Sequence, residues 1–356
     1  MSLTTMISDS ITGLLPAAPA IGHQSNTSYP SGRGISADVR RLVRDHRYGK
    51  LLCSDASVPF DQASLRCAAQ ALRHDMVQVR QGEVNLVDRV ADESPEGFTF
   101  HMQAGTPTAV PSFYMDRLLV THRDFSRFVD AGGYSDESFW PESLRGRLPQ
   151  FTDRTRHVGP ATWSDGSPPA DKLDHPVTGL CWFEASAYAS WCGKQLATSP
   201  QWQRAATWTG AGDGGTAEPR YPWGNSYNPR NANLWSAGFG ETIPATQQQG
   251  DTPTAGIQQL IGNVWEWVDA QFVPAGTSAV TVQLAGPMAE IRGGAFDTYF
   301  ENQATSQFRT GMPIMSRPDN VGFRCVIPSD RLPSGFDQLG VDNDATECDP
   351  RVESDL

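Results

Sequence analysis

The sequence predicts a mixed α+β domain with little regular secondary structure, and three observations predict it. Glycine (33) and proline (26) are abundant in the 356 residues, while charged residues make up only 19%. That is a composition of loops rather than of a helical bundle. All ten tryptophans fall between Trp140 and Trp267, and side chains of that size mark where the heavy core lies. The third observation is one stretch, Gly262-Asn263-Val264-Trp265-Glu266-Trp267. Gly262 and Asn263 suit a tight or left-handed backbone. Val264, Trp265 and Trp267 want a packed interior. Glu266 between them cannot be buried alone, because a lone buried charge is expensive. A cation or a cluster of donors is therefore expected beside it.

Taken in order, residues 1–35 are rich in Ser, Thr, Gly, Pro and Ala and read as a flexible leader. Residues 36–75 read as a helical appendage. Val39, Leu42 and Val43 against Arg40, Arg41 and Arg44 give an amphipathic helix over 36–48, with Ser36 as its N-cap. Leu65, Ala68, Ala69 and Leu72 give a second over about 61–74. Two short helices bury too little to stand alone, so they are expected to pack on the main domain, 76–328. That domain opens with a strand at Met76–Val79, and Gly82 turns the chain into 84–87. Phe113–Asp116 is the next strand. Thr121 and Asp124 then stand three apart as in a capping box, Phe125, Phe128 and Val129 follow at helical spacing, and Gly132-Gly133 ends the helix. His122 and Asp124 also form an H-x-D pair of the kind that holds non-haem iron. No third ligand is placed by spacing, so the helix start is preferred. Residues 134–175 are loop-like. Ala185, Tyr188, Ala189 and Cys192 share one helix face closed by Gly193. Thr198 and Gln201 repeat the capping pattern, with Trp202, Ala205 and Ala206 facing inward.

Residues 329–356 carry eight acids and two arginines, −6 of the net −12, and read as a solvated acidic tail. No basic stripe exists, so nucleic acid is not an expected partner. No run of 18 apolar residues exists, so no membrane span is expected, and the first residues lack the pattern of a signal peptide. The six cysteines form no CxxC pair and no disulfide or zinc spacing. They read as reduced, mostly buried thiols of a cytoplasmic protein.

Further runs complete the pattern: Tyr221-Pro222-Trp223-Gly224-Asn225, Asn231-Ala232-Asn233-Leu234-Trp235, Arg292-Gly293-Gly294-Ala295-Phe296, Arg309, and Gly322-Phe323-Arg324-Cys325. With the stretch at 262–267 they resemble the formylglycine-generating-enzyme and sulfatase-modifying-factor superfamily, a variant of the C-type-lectin-like fold, over roughly residues 76 to 327. The run from 76 to 87 resembles the family's opening hairpin. The resemblance assigns Arg292 and Arg324 mainly to structure. It implies two structural calcium sites, one from Gln259, Gly262, Val264 and Glu266, and a possible second beginning at Asn233 and Leu234. Calcium takes six to eight hard oxygens, which carbonyls with a carboxylate can supply.

The resemblance also implies what is missing. Members that oxidise a sulfatase cysteine hold copper with two cysteines after the RGG run and follow that run with a serine. Here the serine position is Ala295 and the cysteine positions are Thr298 and Gln303. Soft copper(I) needs thiolates, so copper and formylglycine generation are not expected. Members that transfer sulfur to a betaine amino acid hold iron with histidines of a separate four-helix domain. His23, His46 and His74 lack such spacing, so iron is not expected from them.

What remains is the segment that lines the family's substrate cleft. Asp297, Thr298, Tyr299, Glu301, Gln303 and Arg309 are expected to face a pocket walled by aromatic residues such as Trp265 or Tyr299, with Arg317 and Asn320 downstream. Two carboxylates, a phenol, amides and guanidiniums suit a small polar, zwitterionic or peptidic ligand. Two classes of function follow. One is a tailoring enzyme acting on an amino acid or peptide-like natural product. The other is a non-catalytic binding protein of the retroelement-diversified type.

Overall fold

The computed structural model describes residues 35–53, 60–86, 88–94, 97–103, 105, 107–208, 218–247, 250, 256–273 and 286–339, with backbone alone for 88–94 and 97–103. The leader up to residue 34 and the acidic tail beyond 339, including Cys348, lie outside the described residues.

The chain enters through α1 (Ala37–Arg44), α2 (Gly49–Leu52) and α3 (Gln62–Asp75). Ser36 Oγ accepts from the Val39 amide at 3.2 Å and Asp61 Oδ1 from the Ser64 amide at 2.7 Å, each satisfying a donor the helix start leaves unpaired. Val39, Val43, Leu51 and Leu52 pack against Ala68, Ala69 and Leu72 of α3, so the appendage has its own small core. That core also takes Tyr114 and Ile327 from the main domain and Phe336 from the segment that follows it.

Six strands follow: β1 (Met76–Val79), β2 (Gly82–Asn85), β3 (Asp88–Ser94), β4 (Gly97–Gln103), β5 (Pro107–Val110) and β6 (Phe113–Asp116). The expected opening hairpin does not form. β1 pairs with β6 and β2 with β5, and β2 begins at Gly82 rather than 84. The burial of β1 explains this: Met76, Val77 and Val79 are all inside, so it needs cover on both faces, which an isolated hairpin cannot give.

Next come α4 (His122–Asp130), α5 (Trp182–Trp191), β7 (Gln195–Leu196), α6 (Ser199–Thr207), β8 (Trp265–Gln271), β9 (Met288–Arg292), β10 (Arg309–Pro313), β11 (Val321–Gly322) and β12 (Cys325–Pro328). Both anticipated capping boxes form, Thr121 with Asp124 and Thr198 with Gln201. Two four-stranded sheets result, ordered β1-β6-β12-β7 and β10-β9-β8-β11. Phe125, Phe128, Tyr188, Trp191 and Phe323 form an aromatic core against α4 and α5. The described cysteines are free, and all but Cys53 are buried. No helix among the described residues is long and apolar enough to cross a membrane.

Residues 329–339 are not the solvated tail that composition suggests. Phe336 is buried and meets Tyr114 edge to face at 5.7 Å, while Arg73 donates to the Phe336 carbonyl at 2.8 Å and to that of Leu339. Leu332, Phe336 and Leu339 recur three to four apart and pack on the appendage core. The charge average over 329–356 conceals that apolar spacing.

Candidate functional site

β8 runs antiparallel to β9 and parallel to β11, which brings the three recognisable runs into one sheet. Glu266 finds its counter-charge there. Arg324 Nε and Nη2 each donate to one of its carboxylate oxygens at 2.9 Å, a bidentate fork of the strong kind. Arg324 spends its remaining donors on the carbonyls of Asp116, Arg117, Gln258 and Gln259. Burial pushes the Glu266 carboxyl up, and Arg324 works against that shift. Beside this pair, Arg292 donates to Glu290 at 3.2 Å, to Gln203 at 2.9 Å and to the Ser306 carbonyl at 2.9 Å. Ser199 closes the group by donating to Glu290 at 2.5 Å. Both arginines are structural, as expected.

The backbone between these pairs needs glycine. Gly262 and Gly293 have φ of 84° and 95°. A Cβ on Gly262 would meet the Asn233 carbonyl at 2.7 Å, and one on Gly293 the Leu260 carbonyl at 2.7 Å. The close approach lets Gly262 donate to the Gly293 carbonyl at 3.0 Å.

After Gly294 the chain turns outward. Tyr299 and Phe300 are 69% and 60% exposed, and Trp235 on the adjoining loop is 59% exposed. The rings meet edge to face, Trp235 with Tyr299 at 6.3 Å and Tyr299 with Phe300 at 5.3 Å. The Trp235 amide donates to the Thr298 carbonyl at 3.3 Å, which ties the two loops together. Asp297 and Glu301 flank the rings and are exposed, and Asp297 accepts from the Asn320 amide at 2.9 Å.

The anticipated residues divide. Asp297, Tyr299 and Glu301 share the exposed face. Thr298 turns inward, its hydroxyl accepting from the Ala295 amide at 2.8 Å. Gln303 is half-buried in a short turn. Trp265 is 8% exposed and lies against Phe308 at 6.0 Å, so it belongs to the core and not to a pocket wall. Arg309 reaches back to buried Glu290 at 3.4 Å. Two aromatics not named for the site, Trp235 and Phe300, form the face instead. An indole beside turn residues in the 231–235 run was the available signal.

The His122–Asp124 pair serves the helix start. Trp163 Nε1 donates to His122 Nδ1 at 2.9 Å, and burial pushes this imidazole down to about 4. Asp124 caps α4 and meets His46 and Arg127.

The two calcium sets fare differently. Around Glu266 the carboxylate is already paired by Arg324, and Gln259 Oε1 accepts from Asn263 at 2.7 Å. That set does not fit a calcium ion as it stands, since its one carboxylate and its side-chain amide oxygen are both engaged. At Asn233 the amide donates to the Glu241 carbonyl at 2.9 Å, yet its Oδ1 is buried without a partner among the described residues. A buried orphan oxygen is what a hard cation would take.

Residues 62–329 match the sulfatase-modifying factor enzyme 1-like domain. The chain belongs to this family. The mixed α+β architecture expected from the sequence is the one observed, with short strands, short helices and long connections. The family domain begins at the start of α3, so α1 and α2 precede it. Among relatives, the formylglycine-generating enzyme of Thermomonospora curvata is 28% identical over 310 residues, covering 75% of this chain and 98% of the relative. The inactive C-alpha-formylglycine-generating enzyme 2 of Mus musculus is 30% identical over 265 residues, covering 67% of this chain and 82% of the relative. The hercynine oxygenase of Mycobacterium tuberculosis is 32% identical over 178 residues, covering 46% of this chain but only 39% of the relative. Family members named as active and as inactive thus stand at nearly equal identity, and identity does not decide the chemistry.

Proposed function

We propose that this chain is a tailoring enzyme of the sulfatase-modifying-factor family that acts on an amino acid or peptide-like substrate and does not generate formylglycine. The observation that carries the reading is the exposed wall of Trp235, Tyr299 and Phe300 with the Asp297 and Glu301 carboxylates alongside. Edge-to-face rings present π-faces that attract an ammonium or guanidinium, and carboxylates at the same edge favour the same charge. A zwitterionic or peptidic ligand offers such a group. The relatives named formylglycine-generating enzyme and hercynine oxygenase support a modifying chemistry at this domain. Against the copper route stand Thr298 and Gln303 at the thiol positions implied by the family pattern. The Thr298 hydroxyl is also committed to the Ala295 amide.

The test has two arms. A sulfatase-type cysteine peptide incubated with the protein and copper should show no aldehyde by mass spectrometry. Free amino acids and short peptides screened by thermal shift should give hits that disappear in the Trp235→Ala, Tyr299→Ala double variant. Hits that persist unchanged there would place the ligand elsewhere, and aldehyde formation would overturn the chemistry.

Calcium belongs to the same proposal, at Asn233 and Leu234. A ligand bound only by the folded state stabilises it by about 2.7 kcal/mol at roughly a hundred-fold excess over its dissociation constant. Chelation should lower the melting temperature and calcium restore it in the parent but not in Asn233→Ala. An unchanged melting curve on chelation counts against the site.

A further inference from the structure

The chain just after β6, residues 116–120, lines a pocket of about 160 Å³ that is half open to solvent. Residues of α3, α4 and α5 and His46, from between α1 and α2, complete its lining, and no residue of the face around Tyr299 takes part. Its walls are held from behind. The Arg117 amide donates to the Asp75 carbonyl at 2.9 Å, the Arg117 carbonyl accepts from the Gln258 amide at 2.8 Å, and the Val120 amide donates to the Phe323 carbonyl at 3.0 Å. Leu119, Val120 and Tyr188, which supply apolar surface, are each at most 5% exposed. A ligand entering here meets a site already formed and has little ordering cost to offset.

The charges around the pocket are unevenly matched. Asp75, Asp116 and Asp124 line it, and each already has a cation. Asp75 meets His46 Nδ1 at 2.8 Å, Asp116 meets Lys194 Nζ at 2.7 Å, and Asp124 meets Arg127 at 3.1 Å, with His46 Nε2 at 3.5 Å. Asp116 also accepts from the Cys325 amide, and Asp124 from the Thr121 amide and hydroxyl. Arg117 differs. It is half-buried, and its Nε donates to the His74 carbonyl at 2.8 Å. Among the described residues its guanidinium meets no carboxylate, and its terminal nitrogens have no acceptor. An ammonium ligand would have to take a carboxylate from its present cation. A carboxylate ligand finds a guanidinium whose fork is unspent.

We infer that this pocket is a second binding site, for a small monocarboxylate with a short apolar chain, its carboxylate on Arg117 and its chain against Leu118, Leu119, Val120 and Tyr188. Size sets the length of the chain. An apolar void of about 150 Å³ holds one benzene-sized molecule, so the occupant has about six heavy atoms, as butanoate does. The apolar walls set the class, because an inorganic anion would leave them in water and gain nothing from them. The site stands apart from the one proposed around Tyr299 and does not depend on it.

The test is saturation-transfer NMR on the whole chain, titrated with sodium butanoate. Butanoate should bind. Acetate, shorter by two methylenes, should bind on the order of ten-fold more weakly, and n-butylammonium and inorganic phosphate should bind more weakly still. Arg117→Gln should weaken butanoate at least ten-fold, while Arg117→Lys, which keeps the charge but not the fork, should weaken it less. The Trp235→Ala, Tyr299→Ala double variant should leave butanoate within about two-fold of the parent. No binding of butanoate to the parent overturns the inference. So does an unchanged affinity in folded Arg117→Gln, or a loss in the double variant, which would place the anion on the exposed face. Should Arg117→Gln not fold, the ligand series decides: butylammonium or phosphate binding as tightly as butanoate overturns the inference.

Discussion

The centre around Glu266 and the face around Tyr299 are joined by one short stretch of chain and treat polar groups in opposite ways. In the centre, Glu266, Glu290, Arg292 and Arg324 are fully buried, and each carboxylate has a guanidinium within 3.2 Å. On the face, Asp297, Tyr299, Phe300 and Glu301 stand in solvent around three contiguous rings. The motifs that make the family recognisable hold the molecule together. The residues proposed to meet a ligand follow just after them. In this chain the motif side chains Glu266, Arg292 and Arg324 answer to burial, each with its hydrogen-bond partners inside the domain.

The comparison breaks most sharply at Arg324. Arg324→Ala should strand the buried Glu266 charge and cost about 3–5 kcal/mol, lowering the melting temperature by on the order of ten degrees for a domain of this size. A variant that melts with the parent would show the pair to be dispensable. Arg309 tests where the centre ends. It is half-buried and tied to Glu290, so Arg309→Ala should cost about 1–2 kcal/mol, more than a face residue and less than Arg324. A wholly neutral result would return it to the face.

His46 sharpens the comparison from between the extremes, because its ion pairs are only partly covered, with the imidazole 35% exposed. Its folded pKa of about 10 lies above the ordinary value of 6.5. The stabilisation is therefore complete below pH 6.5 and is lost as pH rises through 10. With solvent screening the loss is about 1 kcal/mol or less, a few degrees in melting temperature. The parent should lose stability across that window more steeply than His46→Asn; parallel curves would remove His46 as the cause. The smallest stability effects belong to the face. Tyr299→Ala and Glu301→Ala should each stay within about 0.5 kcal/mol of the parent while losing ligand. A large fall in stability would make the face part of the centre.

Local hydrogen bonding was legible in the sequence. Ser36, Thr121 with Asp124, and Thr198 with Gln201 cap their helices because each partner lies within three residues. The need of Glu266 for a partner was also legible, but the partner was not fixed by spacing, since Arg324 stands 58 residues away. The pairing of β1 and β2 was misread for the same reason: both strands bond to segments beyond the next turn. Within the site, alternation of polar residues could not tell which side chains face out. Thr298 and Asp297 are neighbours, and only the turn back to the Ala295 amide buries the first and exposes the second.

The placement of β12 has a consequence for how the molecule comes into being. β6 lies between β1 and β12, with Met115 opposite Val326 and Tyr114 opposite Ile327. Cys325 donates to Asp116 across a separation of 209 residues. Until residue 328 has been synthesised, β6 therefore carries an open edge, and Glu266 waits for Arg324. Closing so long a loop before any contact rewards it makes for slow folding, and an unpaired strand edge invites pairing with other chains. The final strand acts as a completion signal: the sheet and its ionic centre come together only at the end of the domain's synthesis, and a chain stopped before β12 should be recovered as aggregate rather than as a smaller folded protein.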